Sequence, residues 1–353
     1  MILKNIKASN NYVLKPSPLF LGDTIGIFTP SWPAHVMIRE KYIFAIEKLV
    51  ELGFKVIEGK LTKSILSQGY RSASAKERAE EFMDLIRNPE VKCLMASIGG
   101  LNSSSLIPYL DYKEIRKSRK IICGYSDITP LHFAVLKHAK LSTFYGPTLV
   151  PIFGESPKPF QYSVSHFLKV ASHDKNKTLI LSPPVKWSDQ FIDANDKYWK
   201  TVKRKYKIND GWKIFSKGKV KNRKVLVANL SALLAIAGTE IFPNVLNHIL
   251  VLEETDSSFG KMERNYRQLQ LMKVFDKILG LIISKPGTVD EEKSNLTREK
   301  ILKEIIGTRN YPIIINFDCG HTFPMLTIPQ KVKMSIFAQD KVPKIIIEEN
   351  TVA

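Results

Sequence analysis

The sequence predicts an α/β protein of two domains. Its first half alternates apolar, strand-like runs with amphipathic, helix-like runs, which is the pattern of a parallel sheet covered by helices. Its 353 residues exceed the usual size of a single domain. The composition also changes over 150–225, where prolines, tryptophans and basic residues gather. We therefore expect an N-terminal α/β domain at 1–155, a linker at 156–180 and a mixed, β-rich C-terminal domain at 181–353.

The elements of the N-terminal half follow from local patterns. The run GDTIGIFTP predicts the first strand, and apolar residues at helical spacing over 38–50 predict a helix that Gly53 ends. Ser74 and Glu77 have the spacing of a capping box at the start of the next helix. The runs VKCLMASIGG and KIICG predict two further buried strands, each of which ends in glycine.

The C-terminal half shows the same alternation after an irregular, partly β segment at about 181–225. Strands are predicted at VLVANL, HILVLEE, LGLIISK and IIINFDCGH. Helices are predicted at SALLAIAG, from about Gly260, and near 291–306. This order predicts a second mixed domain.

The chain is strongly basic, with 53 Lys and Arg against 34 Asp and Glu and a formal net charge of +19. Such a charge raises nucleic acid or an anionic substrate as partners, although solvated lysines are the simpler explanation and the one we favour. The basic segment 199–224 carries interleaved aromatic residues, which makes a nucleic-acid-binding protein the remote alternative. No recognised nucleic-acid motif supports that alternative.

Cysteine usage and hydropathy indicate an intracellular protein. The three cysteines, Cys93, Cys123 and Cys319, lie in separate apolar runs, which predicts buried, reduced thiols and no zinc site. The N-terminal residues lack the apolar core of a signal peptide, and the apolar runs are too short to span a bilayer. We therefore expect a cytoplasmic protein.

Ser126 stands at a sharp corner between a strand and a helix, in the run KIICGYSDITPLHFAVLKHA. This is the arrangement of a nucleophile elbow, in which the turn exposes the serine hydroxyl. The alternative is that Ser126 or Asp127 caps the helix, as both residue types often do. The local sequence does not decide between the two.

A serine nucleophile needs a base, and His321 is the strongest candidate among the seven histidines. It follows a predicted strand directly after Gly320, a position typical of site residues. His132 and His138, in the helix after Ser126, are other candidates, whereas the remaining histidines have ordinary surface or packing contexts.

Two further requirements of acyl transfer have candidates. Glu253 and Glu254 end an apolar strand, where a carboxylate needs a partner, and either could orient the histidine or cap the next turn. The Gly99–Gly100 pair at another strand end could give backbone amides for an oxyanion hole, or form an ordinary turn.

Taken together, these motifs resemble the LD-carboxypeptidase superfamily of serine peptidases, and within it the MccF-like branch of microcin C immunity proteins. The resemblance runs through most of the chain. GYSD and FDCGHTFPMLTIP are its most specific motifs, and GDTIGIFTPS, SIGGLNSSSLIPYLDY, TFYGPTL, ANLSALLAIAGT and ILVLEETD also match.

The resemblance implies that Ser126 is the nucleophile, His321 the base and Glu253 the acid, with the amides of Gly100 and Asp127 forming the oxyanion hole. It implies an N-terminal domain bearing the nucleophile elbow, a C-terminal domain bearing acid and base, and a site in the cleft between them. It further implies a homodimer that needs neither metal nor cofactor.

The chain departs from the family pattern at two points. Glu254 takes the place of an aspartate in the family motif. At 227–230 the chain keeps the family's asparagine, Asn229, but has valine and alanine in place of two glycines.

Two substrate classes compete. One branch of the family releases D-alanine from murein tetrapeptides, and the other cleaves an amide between an acyl or aminoacyl group and a nucleotide. Asn102, after the glycine pair, and Trp187, in an inserted segment, favour the nucleotide branch. Trp187 matches a residue that stacks on the base, an interaction worth about 1–3 kcal/mol. The alternative for Trp187 is ordinary packing.

Overall fold

The structure is a computed structural model that describes residues 12–172, 178–196, 198–255, 257–287 and 289–353. The predicted lack of a signal peptide concerns residues that lie mostly outside these ranges. None of the helices in the described ranges combines the length and the apolar character that crossing a membrane requires.

The first half of the chain alternates strands and helices as predicted. Its strands are β1 Thr24–Phe28, β2 Lys55–Glu58, β3 Val91–Ala96, β4 Ile121–Gly124 and β5 Phe144–Tyr145. Its α-helices are α1 Ala34–Met37, α2 Arg39–Glu51, α3 Lys60–Lys63, α4 Ala75–Arg87, α5 Tyr112–Ser118, α6 Thr129–Ala134 and α7 Gln161–Ala171. Short 3-10 helices occupy Ser103–Tyr109 and Ser126–Ile128, and π-helical turns occupy Val135–Ala139 and Leu149–Phe153.

The second half is richer in strands. These are β6 Leu179–Leu181, β7 Lys186–Trp187, β8 Lys207–Ile208, β9 Lys213–Ser216, β10 Gly218–Asn229, β11 Ile249–Glu253, β12 Ser257–Ser258, β13 Gly280–Ser284, β14 Val289–Asp290, β15 Ile313–Phe317, β16 Ile328–Pro329, β17 Lys333–Ala338 and β18 Lys344–Ile347. The α-helices are α8 Leu230–Leu234, α9 Phe259–Leu271 and α10 Arg298–Ile306.

Two sheets organise the molecule and confirm the predicted fold class. The first has the strand order β16-β5-β4-β3-β1-β2, and its neighbours are parallel except for β16. The second has the order β6-β18-β17-β10-β11-β13-β15-β9, with a parallel centre from β10 to β15 and antiparallel flanks. The parallel centres are buried on both faces, as their continuous apolar sequences require.

Local signals in the sequence account for individual helices. The predicted capping box is present at the start of α4, where the Ser74 hydroxyl and the Glu77 carboxylate each accept from the other residue's backbone amide. Asn229 caps α8 by accepting from the amide of Ala232. The helix that we predicted near 291–306 begins only at Arg298, because Thr297 provides its N-cap.

The range 156–180, predicted as a linker, contains α7 and the start of β6. Helix α7 buries Val164, Phe167 and Val170 in the largest hydrophobic core, because these residues recur at helical spacing. Strand β6 joins the edge of the second sheet beside β18. The domain boundaries at 155 and 181 remain a prediction.

The two sheets position the candidate site. Ser126 follows the carboxyl end of β4 in the first sheet, Glu253 ends β11 in the second, and His321 follows β15. The carboxyl ends of parallel strands are the usual place for a site in an open α/β sheet.

Candidate active site

Ser126 occupies a strained corner between β4 and α6. Its φ is +64°, in the left-handed region that costs an L-residue roughly 1–2 kcal/mol. The Ser126 amide donates to the Tyr145 hydroxyl at 3.1 Å, which helps to hold this corner. Neither Ser126 nor Asp127 caps a helix through its side chain, so the structure contradicts the capping alternative. The corner has the shape of the predicted nucleophile elbow.

The three predicted catalytic side chains form one hydrogen-bonded chain. Ser126 Oγ lies 3.1 Å from His321 Nε2, and His321 Nδ1 lies 2.7 Å from Glu253 Oε2. These are hydrogen-bond distances for a nucleophile, a base and an orienting acid. His321 is partly exposed, whereas Glu253 is only 1% exposed.

Glu253 is held by two further donors that the sequence did not predict. Its Oε1 accepts from the Tyr145 hydroxyl at 2.5 Å and from Asn229 Nδ2 at 3.0 Å. With His321 on the other oxygen, the buried carboxylate has a partner on each side, as burial demands. Burial and the nearby Glu253 charge raise the pKa of the Tyr145 hydroxyl, which keeps it a donor.

Glu254 faces a different part of the protein. Its Oε1 accepts from Asn265 Nδ2 at 3.3 Å, and its backbone carbonyl accepts from the Gly287 amide at 3.1 Å. This geometry distinguishes the two glutamates that the sequence left open, because only Glu253 contacts His321.

The predicted oxyanion-hole segment lies against the serine. A Cβ built on Gly99 would be 3.4 Å from Ser126 Oγ and 3.6 Å from the Asp127 nitrogen. Gly100 has a φ of +151° and packs so closely on Ser31 that no side chain fits there. The Gly99–Gly100 turn therefore places its backbone beside the elbow, where amides could meet a developing negative charge.

A buried network stabilises this turn. The Asn102 Oδ1 accepts from Ser31 Oγ and from Arg78 Nη1, each at 2.9 Å. The Asp127 carboxylate accepts from the Ser103 amide at 3.0 Å, and burial raises the pKa of Asp127 to about 6. Asn102, predicted as a substrate contact, thus supports the glycine turn and is not among the residues that line the cavity.

Asp318 anchors the segment that carries His321. It is fully buried and accepts from Lys285 Nζ at 2.6 Å and from Trp212 Nε1 at 2.8 Å. Two residues later Gly320 has a φ of +117°, and a Cβ there would lie 2.6 Å from Glu253 Oε2. Glycine is required at this position for the histidine to reach the carboxylate.

The other candidate bases have structural roles. His132 is buried, with Nδ1 2.8 Å from Thr143 Oγ1 and Nε2 2.9 Å from the Gly124 carbonyl, and burial lowers its pKa to about 4. His138 lies 3.4 Å from Glu240 at the surface. The structure brings neither ring to Ser126.

A cavity of about 480 Å³ opens over Ser126 and His321. Its further lining includes aromatic and charged side chains from both halves of the chain, among them Trp32, Lys41, Asp193, Arg204 and Phe323. Arg204 is held by a bidentate pair with Glu155, at 2.7 and 2.8 Å. The cavity therefore combines apolar walls with fixed charge, which suits a substrate of mixed character.

The predicted stacking residue, Trp187, lies outside this lining. Its ring packs over two ammonium groups, Lys207 Nζ at 4.8 Å and Lys285 Nζ at 5.4 Å from the ring centroid. The cavity is lined instead by Phe191, whose side chain is 80% exposed. Phe191, four positions after Trp187 in the same segment, thus presents an exposed aromatic ring to the cavity.

All three cysteines are buried and free of disulfides, as predicted. Burial raises the pKa of each thiol. In the described ranges, no cluster of His, Cys, Asp and Glu has the composition of a metal site.

Comparison with protein families assigns both halves of the chain. Residues 25–146 match the LD-carboxypeptidase N-terminal domain, and residues 224–336 match the LD-carboxypeptidase C-terminal domain. The chain belongs to the LD-carboxypeptidase family of serine peptidases. The resemblance inferred from the motifs is thereby confirmed.

The relatives of this chain place it in the MccF-like branch of the family. It is 39% identical over 332 residues to the microcin C7 self-immunity protein MccF of Escherichia coli, covering 94% of this chain and 95% of the relative. It is 27% identical to a Bacillus subtilis protein named "Probable murein peptide carboxypeptidase", covering 94% of each chain.

Solved structures agree with this placement. MccF in complex with glutamyl sulfamoyl guanosine superposes with a TM-score of 0.90 at 38% identity, covering 96% of this chain and 100% of the other. An MccF-like protein of Bacillus anthracis superposes with a TM-score of 0.82 at 28% identity, covering 95% and 99%.

Proposed function

We propose that this member of the LD-carboxypeptidase family cleaves the amide between an acyl or aminoacyl group and a nucleotide, using Ser126, His321 and Glu253 as a catalytic triad. The observation that supports the triad most strongly is the continuous chain of hydrogen bonds from Ser126 Oγ through His321 to the buried carboxylate of Glu253. Serine peptidases of unrelated folds use the same arrangement.

The proposed reaction is acyl transfer in two steps. His321 Nε2 takes the proton of the Ser126 hydroxyl as Oγ attacks the substrate carbonyl, and returns that proton to the leaving amine when the amide bond breaks. Water then attacks the acyl-serine ester with the same histidine as base, which releases the acid and restores the hydroxyl. Glu253 stabilises the charged imidazole throughout both steps.

The amides of Gly100 and Asp127 are the proposed donors to the oxyanion. The support for this role is the close approach of the glycine turn to Ser126 and the position of Asp127 directly after the nucleophile. Amides that are fixed before the reaction stabilise a developing charge without reorganisation. The hydrogen bond that Arg78 donates to Asn102, next to the turn, supports that rigidity.

The proposed nucleotide specificity rests on the relatives and on the cavity. Solved MccF structures contain glutamyl sulfamoyl guanosine and aspartyl sulfamoyl adenosine, which join an aminoacyl group to a nucleoside. This chain is closer to MccF, at 39% identity, than to the murein-named relative, at 27%. Phe191 and Trp32 line the cavity with aromatic surface, on which a base could stack.

The proposal replaces Trp187, the stacking contact predicted from the sequence, with a neighbouring aromatic residue. Phe191 is our proposed stacking residue, because its ring is exposed at the cavity. Trp187 instead packs against Lys207 and Lys285 and so stabilises the segment. Arg204 also lines the cavity, but its charge is balanced by the bidentate pair with Glu155, so we assign it to shaping the cavity wall.

A direct comparison of two substrates tests the proposal. The purified protein is incubated with aspartyl sulfamoyl adenosine and, separately, with a murein tetrapeptide ending in D-alanine, and the products are identified by mass spectrometry. We expect release of aspartate from the nucleoside conjugate, with Ser126→Ala as the blank. Release of D-alanine alone would instead assign the protein to murein turnover.

Murein cleavage is the second candidate because the family includes a relative named for it. The net charge of +19 would suit nucleic-acid binding, but that function would not explain the Ser126–His321–Glu253 arrangement.

A cytoplasmic location and a homodimer remain predictions. Gel filtration with light scattering would measure the oligomeric state.

A further inference from the structure

A second cavity, of about 360 Å³, is lined by residues of α6 and the turn that follows it and by residues of the second sheet. None of the described residues that line it lines the cavity at Ser126. We call it the Lys331 cavity, and its polar lining includes Lys137, Lys140, Lys224, Glu240, His248 and Lys331. The segments that meet here come from both halves of the chain.

Lys331 is fixed in this cavity by a histidine. Its Nζ lies 2.5 Å from His248 Nε2, and His248 Nδ1 lies 2.7 Å from the Leu246 carbonyl. Since the carbonyl can only accept, Nδ1 carries the ring proton and Nε2 is the acceptor for the ammonium group. A neutral histidine thus orients Lys331 without balancing its charge.

Three of the four lysines that line the cavity have no carboxylate partner among the described residues. No ion pair in the described parts of the chain joins Lys140, Lys224 or Lys331 to a carboxylate. Burial and the repulsion from Lys224 and Lys140 lower the pKa of Lys331 to about 8. Glu240, which also lines the cavity, contacts the fourth lysine instead, with its carboxylate 3.9 Å from Lys137 Nζ and 3.4 Å from His138 Nε2.

Such a concentration of like charge beside low-dielectric walls costs free energy in the empty protein and raises the local concentration of anions. Phe133, Ile241 and Phe242 give the cavity its apolar side. A bound anion would remove the repulsion between the lysines. The cavity therefore has the electrostatic character of an anion-binding site in which Lys140, Lys224 and Lys331 have no carboxylate partner among the described residues.

We propose that the Lys331 cavity binds a phosphate group, either inorganic phosphate or a small phosphomonoester, through Lys331, Lys224 and Lys140. A phosphomonoester carries nearly two negative charges and three acceptor oxygens near neutral pH, which matches three ammonium donors. Lysine is a common phosphate ligand that acts as a point charge. The apolar wall provides space for a small organic substituent.

This site is independent of the proposed amide hydrolysis, because its test measures binding. The Kd of the full-length protein for inorganic phosphate is measured by calorimetry, with chloride added to keep the ionic strength constant, and melting curves report the accompanying stabilisation. Glycerol 3-phosphate is measured in parallel. A tighter Kd for the ester assigns the site to phosphomonoesters, and equal values assign it to phosphate itself.

The decisive comparison uses matched charge removals. Lys331→Gln is compared with Lys344→Gln, which removes the same charge from an exposed position on β18. We expect Lys331→Gln to weaken phosphate binding by about tenfold or more, as for a lost charged contact, and Lys344→Gln to change it by less than about twofold.

Lys224→Gln provides a second variant at an exposed position, so that its folding is not at issue. It should also weaken phosphate binding. The proposal is overturned if the wild-type protein shows no phosphate binding beyond that of chloride. It is equally overturned if Lys331→Gln and Lys224→Gln bind phosphate as well as Lys344→Gln does.

Discussion

The Tyr145 hydroxyl lies 2.5 Å from Oε1 of Glu253, on the side of the carboxylate opposite His321. The same hydroxyl accepts the Ser126 amide at 3.1 Å. One phenol therefore connects the elbow of the first sheet to the acid of the second. This link fixes the position of the proposed nucleophile relative to its acid, although they lie 127 residues apart in the chain, at positions 126 and 253.

Replacing Tyr145 by phenylalanine should lower kcat by about tenfold while leaving the fold intact. The variant removes one donor to Glu253 and one acceptor for the Ser126 amide, and a loss of roughly 1.4 kcal/mol in transition-state stabilisation corresponds to tenfold in rate. Steady-state kinetics on the nucleoside conjugate give the value. An unchanged kcat, with circular dichroism unchanged as well, would show that Tyr145 does not position the site.

Replacing each of the two adjacent glutamates by glutamine should have very different effects on kcat. Glu253→Gln presents its amide to His321 and should lower kcat by roughly 10³–10⁴-fold, as for the acid of other triads. Glu254→Gln is the matched control and should change kcat by less than about threefold, since its carboxylate contacts Asn265 and not His321. Equal losses in the two variants would contradict the assignment of Glu253.

Substitutions of the two aromatic residues of the inserted segment, Phe191 and Trp187, should lower kcat/KM to different extents. Phe191→Ala removes the exposed ring at the cavity and should lower kcat/KM for a nucleoside conjugate by roughly tenfold, the lower part of the range for base stacking. Trp187→Phe keeps a ring over Lys207 and Lys285 and should have a small effect. The reverse order of effects would restore Trp187 as the residue that meets the base.

Stability should depend on pH through Glu81, which is buried beneath β1 and accepts from the amides of Thr29 and Thr62 at 2.8 Å each. Burial raises its pKa from 4.5 to about 7. The folded state therefore binds a proton between these values that the unfolded state has released, so stability falls as pH rises through this window.

Glu81→Gln removes this titration. The difference in free energy of unfolding between wild type and variant should change by up to about 3 kcal/mol between pH 4.5 and pH 7, with the wild type losing relative stability as pH rises. Urea unfolding at a series of pH values measures it. A constant difference across the window would contradict the raised pKa.

Local patterns predict the fold and make Ser126 and His321 candidates, whereas the choice of Glu253 over Glu254 came only from the family resemblance. Ser126 and His321 follow the carboxyl ends of apolar strands and Glu253 is the last residue of one, and strands of a parallel centre share one edge for their carboxyl ends. A strand-to-helix corner, a carboxylate at a buried strand end and a glycine before a histidine are visible without coordinates. Their meeting at hydrogen-bond distance is not.

What the sequence did not predict depends on how the two sheets meet. Tyr145 and Asn229 belong to different sheets, and only their packing brings both onto Glu253. Trp187 fits a family pattern, but the positions of Lys207 and Lys285 decide which of its neighbours faces the cavity. Helix α7 lies in a range of mixed composition, and its apolar face becomes evident only against the core.

The central claim is that Ser126 is acylated during turnover. The most direct measurement is rapid quenching of the protein with aspartyl sulfamoyl adenosine, followed by intact-mass analysis and peptide mapping. We predict one aspartyl group on the peptide containing Ser126, and none on Ser126→Ala, which should also lose hydrolysis by several orders of magnitude. Substantial turnover by Ser126→Ala, or an acyl group mapped to another residue, would contradict the account.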